Sequence, residues 1–291
     1  MTELHKLIDS FPGQVGLWVE NLNTGDKFSH QPERPFYAAS TIKLPMLIAV
    51  LDFLSPPAKG AAAKEPECLE SSLIAALSRP ISIKPELVAT GSGILKDLST
   101  PLSLPLIDLL TLMIVVSDNT ATNVILDHFG HKEPFNAYYQ NQGWNQTRSA
   151  GMLSLPTGRT DPRRIQGEIT SVSAGNLANL LKRLWSGELL SKEATKIALG
   201  ILSRQQQTGL LRYLPVDLDH IEDKETDLRI FSKSGEIRRS RHEAGILSKG
   251  DNAVTVVVLT ESEADLRFHP DHPAVVLIGH TAERVFHYWL S

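Results

Sequence analysis

Ser40 and Lys43 stand three residues apart at the head of an apolar run, Leu44 to Leu54, that only Asp52 interrupts. Pro45 in the first turn and the length of the run predict a buried helix start. Residues three apart on a helix share a face, so the Ser40 hydroxyl is expected beside the Lys43 amine. A serine is a weak nucleophile until a neighbouring base takes its proton, and a lysine can be that base if burial lowers its pKa. Taken alone the pair is a common pattern, and Ser40 could equally be a helix cap.

Two further clusters bear on that choice. Ser117-Asp118-Asn119 follows the apolar segment Leu106 to Val116, and Lys233-Ser234-Gly235 follows the β-prone stretch Leu228 to Ser232. By itself Ser117-Asp118-Asn119 also suits a cap between two helices. In order, however, S-x-x-K, S-D-N and K-[ST]-G are the signature set of class A β-lactamases and penicillin-binding proteins. The chain resembles class A β-lactamases over nearly its whole length. The likeness extends to Tyr37-Ala38-Ala39 before the serine, Leu44-Pro45 after it, and Thr120-Ala121-Thr122-Asn123 after S-D-N.

The resemblance implies a role for each residue. Ser40 is the acyl-accepting nucleophile and Lys43 its base or proton relay. Ser117 shuttles a proton to the leaving amine. Lys233 positions Ser117 and offers positive charge to a substrate carboxylate, which Ser234 of the Lys233-Ser234-Gly235 strand also contacts. Asn119 binds the acyl-side amide, and the backbone N–H groups of Ser40 and Glu236 form the oxyanion hole. Two close lysines depress each other's pKa, which leaves a neutral base at pH 7. Arg241 is either a second cation for that carboxylate or a surface strand arginine beside Arg238 and Arg239.

One segment departs from the pattern. Class A β-lactamases carry E-x-x-L-N in a loop whose glutamate activates the deacylating water. The stretch from Gly143 to Glu168 holds no such motif. Asp161 and Glu168 are its acids, and Arg148, Arg159, Arg163 and Arg164 make it basic. Glu168 is the candidate deacylation base; its ordinary role is favourable charge near the helix expected to start at Thr170-Ser171. Acylation needs only Ser40, Lys43, Ser117 and Lys233, whereas deacylation needs a placed general base worth about 10²–10⁴-fold.

The remaining signals point away from other chemistry. His242-Glu243 lacks the second histidine of a zinc helix motif, and His269 and His272 flank Pro270-Asp271 without a third ligand. No metal and no cofactor are expected. Gly91-Ser92-Gly93 suits a turn at the edge of a cleft better than a phosphate loop. The one cysteine, Cys68, precludes an internal disulfide. A net charge of −4 gives no nucleic-acid surface. The longest apolar segments contain Asp52 or Asp108, so none is expected to span a membrane. Met1 to Lys6 has no basic patch leading into an apolar core. The expectation is a cytoplasmic chain, or an exported one whose signal has been removed.

The 291 residues suit one large domain or two intimate ones. Residues 2–10 read as a helix, Gln14 to Glu20 as a strand, and Asn23-Thr24-Gly25-Asp26 as the turn into a returning strand from Lys27 to Ser29. From Ser40 to about Leu202 the chain reads as mostly helical, with a Pro/Ala/Gly connector from Ser55 to Ala63. Strands follow at Leu228 to Ser232, Ala244 to Ser248 and Ala253 to Thr260, the last two joined by a turn at Lys249-Gly250-Asp251-Asn252. Pro273 to Leu290 reads as a terminal helix. The expected class is therefore α+β: an antiparallel sheet flanked by helices and built from both chain ends, residues 1–37 and 203–291, with an all-helical domain, 38–202, inserted between them. The site would lie in the cleft between the two.

The function so expected is a serine acyl-hydrolase acting through an acyl-enzyme on a β-lactam, amide or ester, with weak deacylation. A penicillin-binding protein that acylates without efficient turnover is the alternative, and a non-catalytic binder of a carboxylate ligand is the alternative of another class. The expected partner is a small acyl substrate carrying a carboxylate. Natural substrate and oligomeric state are not legible in the sequence.

Overall fold

The structure is a computed structural model describing residues 2–55, 66–99, 101–157, 159, 161, 163, 165–214 and 227–291, with 66–71 described as backbone only. The connector expected at Ser55 to Ala63 lies from residue 56 onward outside the described residues, as do the Cys68 side chain and Arg164. In chain order the elements are α1 Thr2–Ser10, β1 Gln14–Asn21, β2 Lys27–His30, β3 Phe36–Tyr37, α2 Lys43–Leu54, α3 Pro66–Leu77, β4 Pro80–Ser82 and β5 Ser103–Pro105. Then come α4 Leu106–Val115, α5 Asn119–His128, α6 Lys132–Asn141, β6 Ser171–Val172, α7 Ala174–Trp185 and α8 Lys192–Leu202. The chain closes with β7 Leu228–Ile237, β8 Ser240–Lys249, β9 Asn252–Glu261 and α9 Pro273–Trp289.

Among the described residues the main sheet has the order β2-β1-β9-β8-β7, antiparallel throughout. It is built from both chain ends, as the sequence pattern implies. The turn at Lys249-Gly250-Asp251-Asn252 joins β8 to β9, and Gly250 supplies the left-handed φ of 58° that the tight reversal needs. The alternating side chains of β9 serve two cores. Ala253, Val257 and Leu259 face the core shared with α2, α4, α5 and α7. Val254, Val256 and Val258 face a second core closed by α1 and α9 through Leu4, Ile8, Leu277 and Val285.

The helix after the serine is apolar on every side and buried on every side: Leu44 to Leu51 are all inaccessible to solvent. That burial fixes the start of α2 deep in the molecule and carries Lys43 with it. Three expectations change in detail. Ser40 lies in a 3₁₀ turn, Ala39–Ile42, just ahead of α2. The described residues between 142 and 170 are not helical but irregular, where Gly, Pro and Ser favour local turns over helical hydrogen bonds. Ser171–Val172 is strand, paired with Phe36–Tyr37, and the next helix begins at Ala174 behind a Ser173 cap.

Candidate active site

The turn that carries Ser40 is held by its neighbours rather than by its own propensity. Ala39 has φ 45°, in the left-handed region that a residue with a Cβ avoids. The preceding Ala38 N–H donates to Thr170 O at 2.9 Å, and the Thr41 hydroxyl donates to Ala38 O at 2.5 Å. Behind Tyr37, His242 of β8 reaches the Tyr37 carbonyl at 2.6 Å through Nε2, while its Nδ1 accepts the Thr260 N–H at 3.0 Å. That pairing requires the proton on Nε2. Burial lowers the His242 pKa to about 4, which keeps the ring neutral.

β7 approaches the turn so closely that only glycine fits. A Cβ on Gly235 would lie 2.9 Å from the backbone nitrogens of both Ser40 and Thr41. The Ser40 amide therefore abuts the strand that carries Lys233, Ser234 and Glu236.

Ser117 projects from the link between the two buried helices α4 and α5, and its backbone too is left-handed, at φ 56°. Asp118 holds the link in place. One carboxylate oxygen caps α5 at the Ala121 N–H, 2.9 Å, and the other accepts the N–H groups of Ile94 and Leu95 at 2.7 and 2.9 Å. The Gly91-Ser92-Gly93 turn packs on this link, where a Cβ at Gly93 would collide with Asp118 at 2.2 Å.

Lys43 joins these parts. Its buried Nζ lies 2.7 Å from Ser117 O, 2.7 Å from Asn119 Oδ1 and 3.2 Å from Ser117 Oγ. Burial first, and the Lys233 charge second, hold its pKa well below the ordinary lysine value. A neutral amine has two N–H groups and a lone pair. With the two carbonyl oxygens taking those N–H groups, the lone pair of a neutral Lys43 would be free for a hydroxyl proton. Lys233 is also fully buried and donates to Ser234 O at 2.8 Å. Burial lowers it to about 7, against the upward pull of Glu243 and Glu236.

The other candidates are placed as follows. Asn119 sits beside Lys43 and donates through Nδ2 to Thr90 O at 2.9 Å. Arg241 is buried, and its Nη donors go to the carbonyls of Ile237, Ser240 and Arg267. Glu168 is bound by Lys132 and by Arg148, whose Nε donates at 2.7 Å. Those cations outweigh partial burial and lower its pKa. Asp161 ties the irregular segment down through His131 at 3.0 Å and the Met152 N–H at 2.8 Å. Two features escaped sequence reading. Glu243, buried under the Ser232, Thr208 and Gly209 donors, braces the strand behind Ser234. Asn123 clamps Leu153 by both its N–H, at 2.8 Å, and its carbonyl, at 3.0 Å; only the pairing of two distant segments reveals it.

The sequence pattern of the beta-lactamase enzyme family matches residues 1–55 and 73–289. The chain belongs to the beta-lactamase enzyme family. Family members of known structure share its fold. A beta-lactamase from Sphaerobacter thermophilus DSM 20745 is 25% identical with a TM-score of 0.77, over 99% of this chain and 95% of that one. PBP-A is 22% identical with a TM-score of 0.74, over 99% and 94%. A mutant of PBP-A, solved as an acyl-enzyme complex with penicillin G, is 22% identical with a TM-score of 0.75 over the same shares. No curated protein matches. Within this fold Lys43 meets Ser117 and Asn119 directly, and the strand carrying Lys233 abuts the Ser40 turn.

Proposed function

We propose that the protein is a serine acyl-hydrolase of the class A type, which acylates on Ser40 and deacylates slowly. The observation that carries this is the buried Lys43 amine, its pKa lowered by burial and by Lys233, bonded to Ser117 and Asn119 at the end of the Ser40 turn. Lys43 takes the Ser40 Oγ proton as that oxygen attacks the acyl carbonyl. The N–H groups of Ser40 and Glu236 stabilise the oxyanion. Ser117 passes the proton to the departing nitrogen, and the acyl group remains on Ser40. Lys233 and Ser234 receive a substrate carboxylate, and Asn119 the acyl-side amide. In this proposal residues 38–202 form one wall of the cleft, and residues 1–37 with 203–291 the other.

Slow deacylation follows from the segment between 143 and 170. Its Glu168 carboxylate is neutralised by Lys132 and Arg148, and Asp161 is spent on His131 and backbone N–H groups. A carboxylate so engaged is a poor base. Intact-mass spectrometry with penicillin G tests the proposal. One penicillin per chain, persisting over minutes and lost in Ser40→Ala, is the expected result. Neither adduct nor turnover would leave the carboxylate-binding alternative.

A further inference from the structure

We infer that Ser154 is a specificity-determining residue whose hydroxyl meets a polar substituent on the acyl side of the substrate, at the carbon next to the amide carbonyl that Asn119 receives. The inference rests on the acyl-transfer proposal above. The opening lies beside Asn119 itself. Asn119 gives its Oδ1 to Lys43 at 2.7 Å and donates through Nδ2 to Thr90 O at 2.9 Å. Nδ2 carries a second N–H, which has no acceptor among the described residues. Gly91 leaves the room in front of it. A Cβ at Gly91 would stand 3.0 Å from Asn119 Nδ2 and 3.9 Å from Ser154 Oγ, and would meet nothing else within 4 Å. The Asn119 amide and the Ser154 hydroxyl therefore border one notch, which a side chain at position 91 would fill.

Ser154 is held at this notch against its own preference. Its φ of 47° lies in the left-handed region. The segments around it impose that conformation. The Leu153 N–H donates to Asn123 Oδ1 at 2.8 Å, and the Leu153 carbonyl accepts from Asn123 Nδ2 at 3.0 Å. The Ser154 carbonyl accepts both the Thr90 N–H at 2.7 Å and the Thr90 hydroxyl at 2.9 Å. Backbone strain maintained in this way gathers at active sites and ligand clamps. The Ser154 hydroxyl takes no part in the scaffold. It is exposed and has no hydrogen-bond partner among the described residues. Glycine would serve the turn without strain but has no hydroxyl. Serine brings one donor and two acceptor lone pairs to whatever enters the notch. Thr90 bonds Asn119 through its carbonyl and Ser154 through its N–H and hydroxyl, so it fixes the spacing of the two groups. A substrate whose amide carbonyl takes the spare Asn119 N–H can bond Ser154 through a hydroxyl on the adjoining carbon. A plain methylene at that carbon cannot.

The test compares benzylpenicillin with D-α-hydroxybenzylpenicillin, which differs by one hydroxyl at that carbon. Rapid quenching and intact mass follow acylation. In the wild type the hydroxylated compound is expected to acylate faster by about three- to tenfold, the worth of one hydrogen bond. Ser154→Gly, which tolerates the left-handed turn, should bring the ratio to about one, and Ser154→Ala should do the same. A purely structural role would change both rates together and leave the ratio as in the wild type. That result overturns the inference, as does a wild-type ratio of one. If neither penicillin acylates, the acyl-transfer proposal fails on its own. NMR titration with mandelamide and phenylacetamide, which need no acylation, then decides. Tighter binding of mandelamide that Ser154→Gly abolishes supports the assignment. Equal binding of the two amides by the wild type, or a preference that the variant retains, overturns it.

Discussion

At the scale of single residues, the proposed chemistry depends on one amine that gives up its proton readily. Burial and the neighbouring Lys233 lower the Lys43 pKa, against the upward pull of Asp118. Lys43→Ala should slow acylation by about 10²–10⁴-fold, the usual worth of a general base. Lys43→Arg should do no better, since a guanidinium stays charged. Stopped-flow acylation by a chromogenic cephalosporin measures both, and rapid reaction in the arginine variant would assign the base elsewhere. His242 acts one step back from the chemistry. Its neutral ring ties the Tyr37 carbonyl to the Thr260 N–H and so sets where the Ser40 turn begins.

At the scale of elements, two close approaches decide the site. The first is β7 against the Ser40 turn. Gly235→Ala would place a methyl 2.9 Å from the Ser40 nitrogen and push apart the two backbone segments proposed to form the oxyanion hole. A loss of about 10²–10³-fold in acylation rate is expected, the worth of one such donor, with the urea midpoint falling less than for a core truncation. The second is the irregular segment against α5. Asn123 clamps Leu153, and Thr90 holds the Ser154 carbonyl by its N–H at 2.7 Å while its own carbonyl receives Asn119. Leu153 is therefore where the segment is tied to α5, next to Ser154, whose carbonyl Thr90 links to Asn119. Leu153→Glu should shorten the lifetime of the acyl-enzyme by about tenfold or more, and Glu168→Gln should leave it unaltered. Time-resolved intact mass distinguishes these; a lifetime unmoved in Leu153→Glu but altered in Glu168→Gln would restore Glu168 as the base.

At the scale of the whole molecule, burying two lysines ties stability to pH. Both have folded pKa values below the unfolded 10.5, Lys233 at about 7. Between the folded and unfolded values the unfolded chain binds more protons, so stability rises with pH through that window and is lost as pH falls through the folded pKa. The slope per group reaches about 1.4 kcal/mol per pH unit. Urea unfolding from pH 7.5 to 9.5 should show the rise, and Lys43→Met with Lys233→Met should flatten it. Equal slopes in wild type and double variant would mean that these lysines are charged in the folded state. In turnover, a chromogenic cephalosporin should give a burst of about one product per chain and then a slow phase; a steady rate of about 10 s⁻¹ or more without a burst would show an effective deacylation base.

Local sequence determined much of this. The apolar run after Lys43, the alternation in β9 and the turn at Lys249 to Asn252 each specify an element through side-chain period and turn chemistry alone. The three motifs single out candidate reacting residues because their types and order are chemically restrictive. What the tertiary structure alone decided were quantities set by distance between remote segments. The Lys43 pKa is lowered because the fold buries the amine and brings Lys233 of β7 near it. Glu168 is engaged because α6 brings Lys132 to it, and the Arg241 Nη groups are engaged on backbone carbonyls, one of them Arg267 O from a later segment of the chain. The left-handed turns at Ala39 and Ser117 carry no signal in an alanine or a serine, since both types favour other conformations when free. A sequence states which groups exist. Burial and cross-chain contact fix their protonation and freedom, and those depend on segments far apart in the chain meeting in the fold.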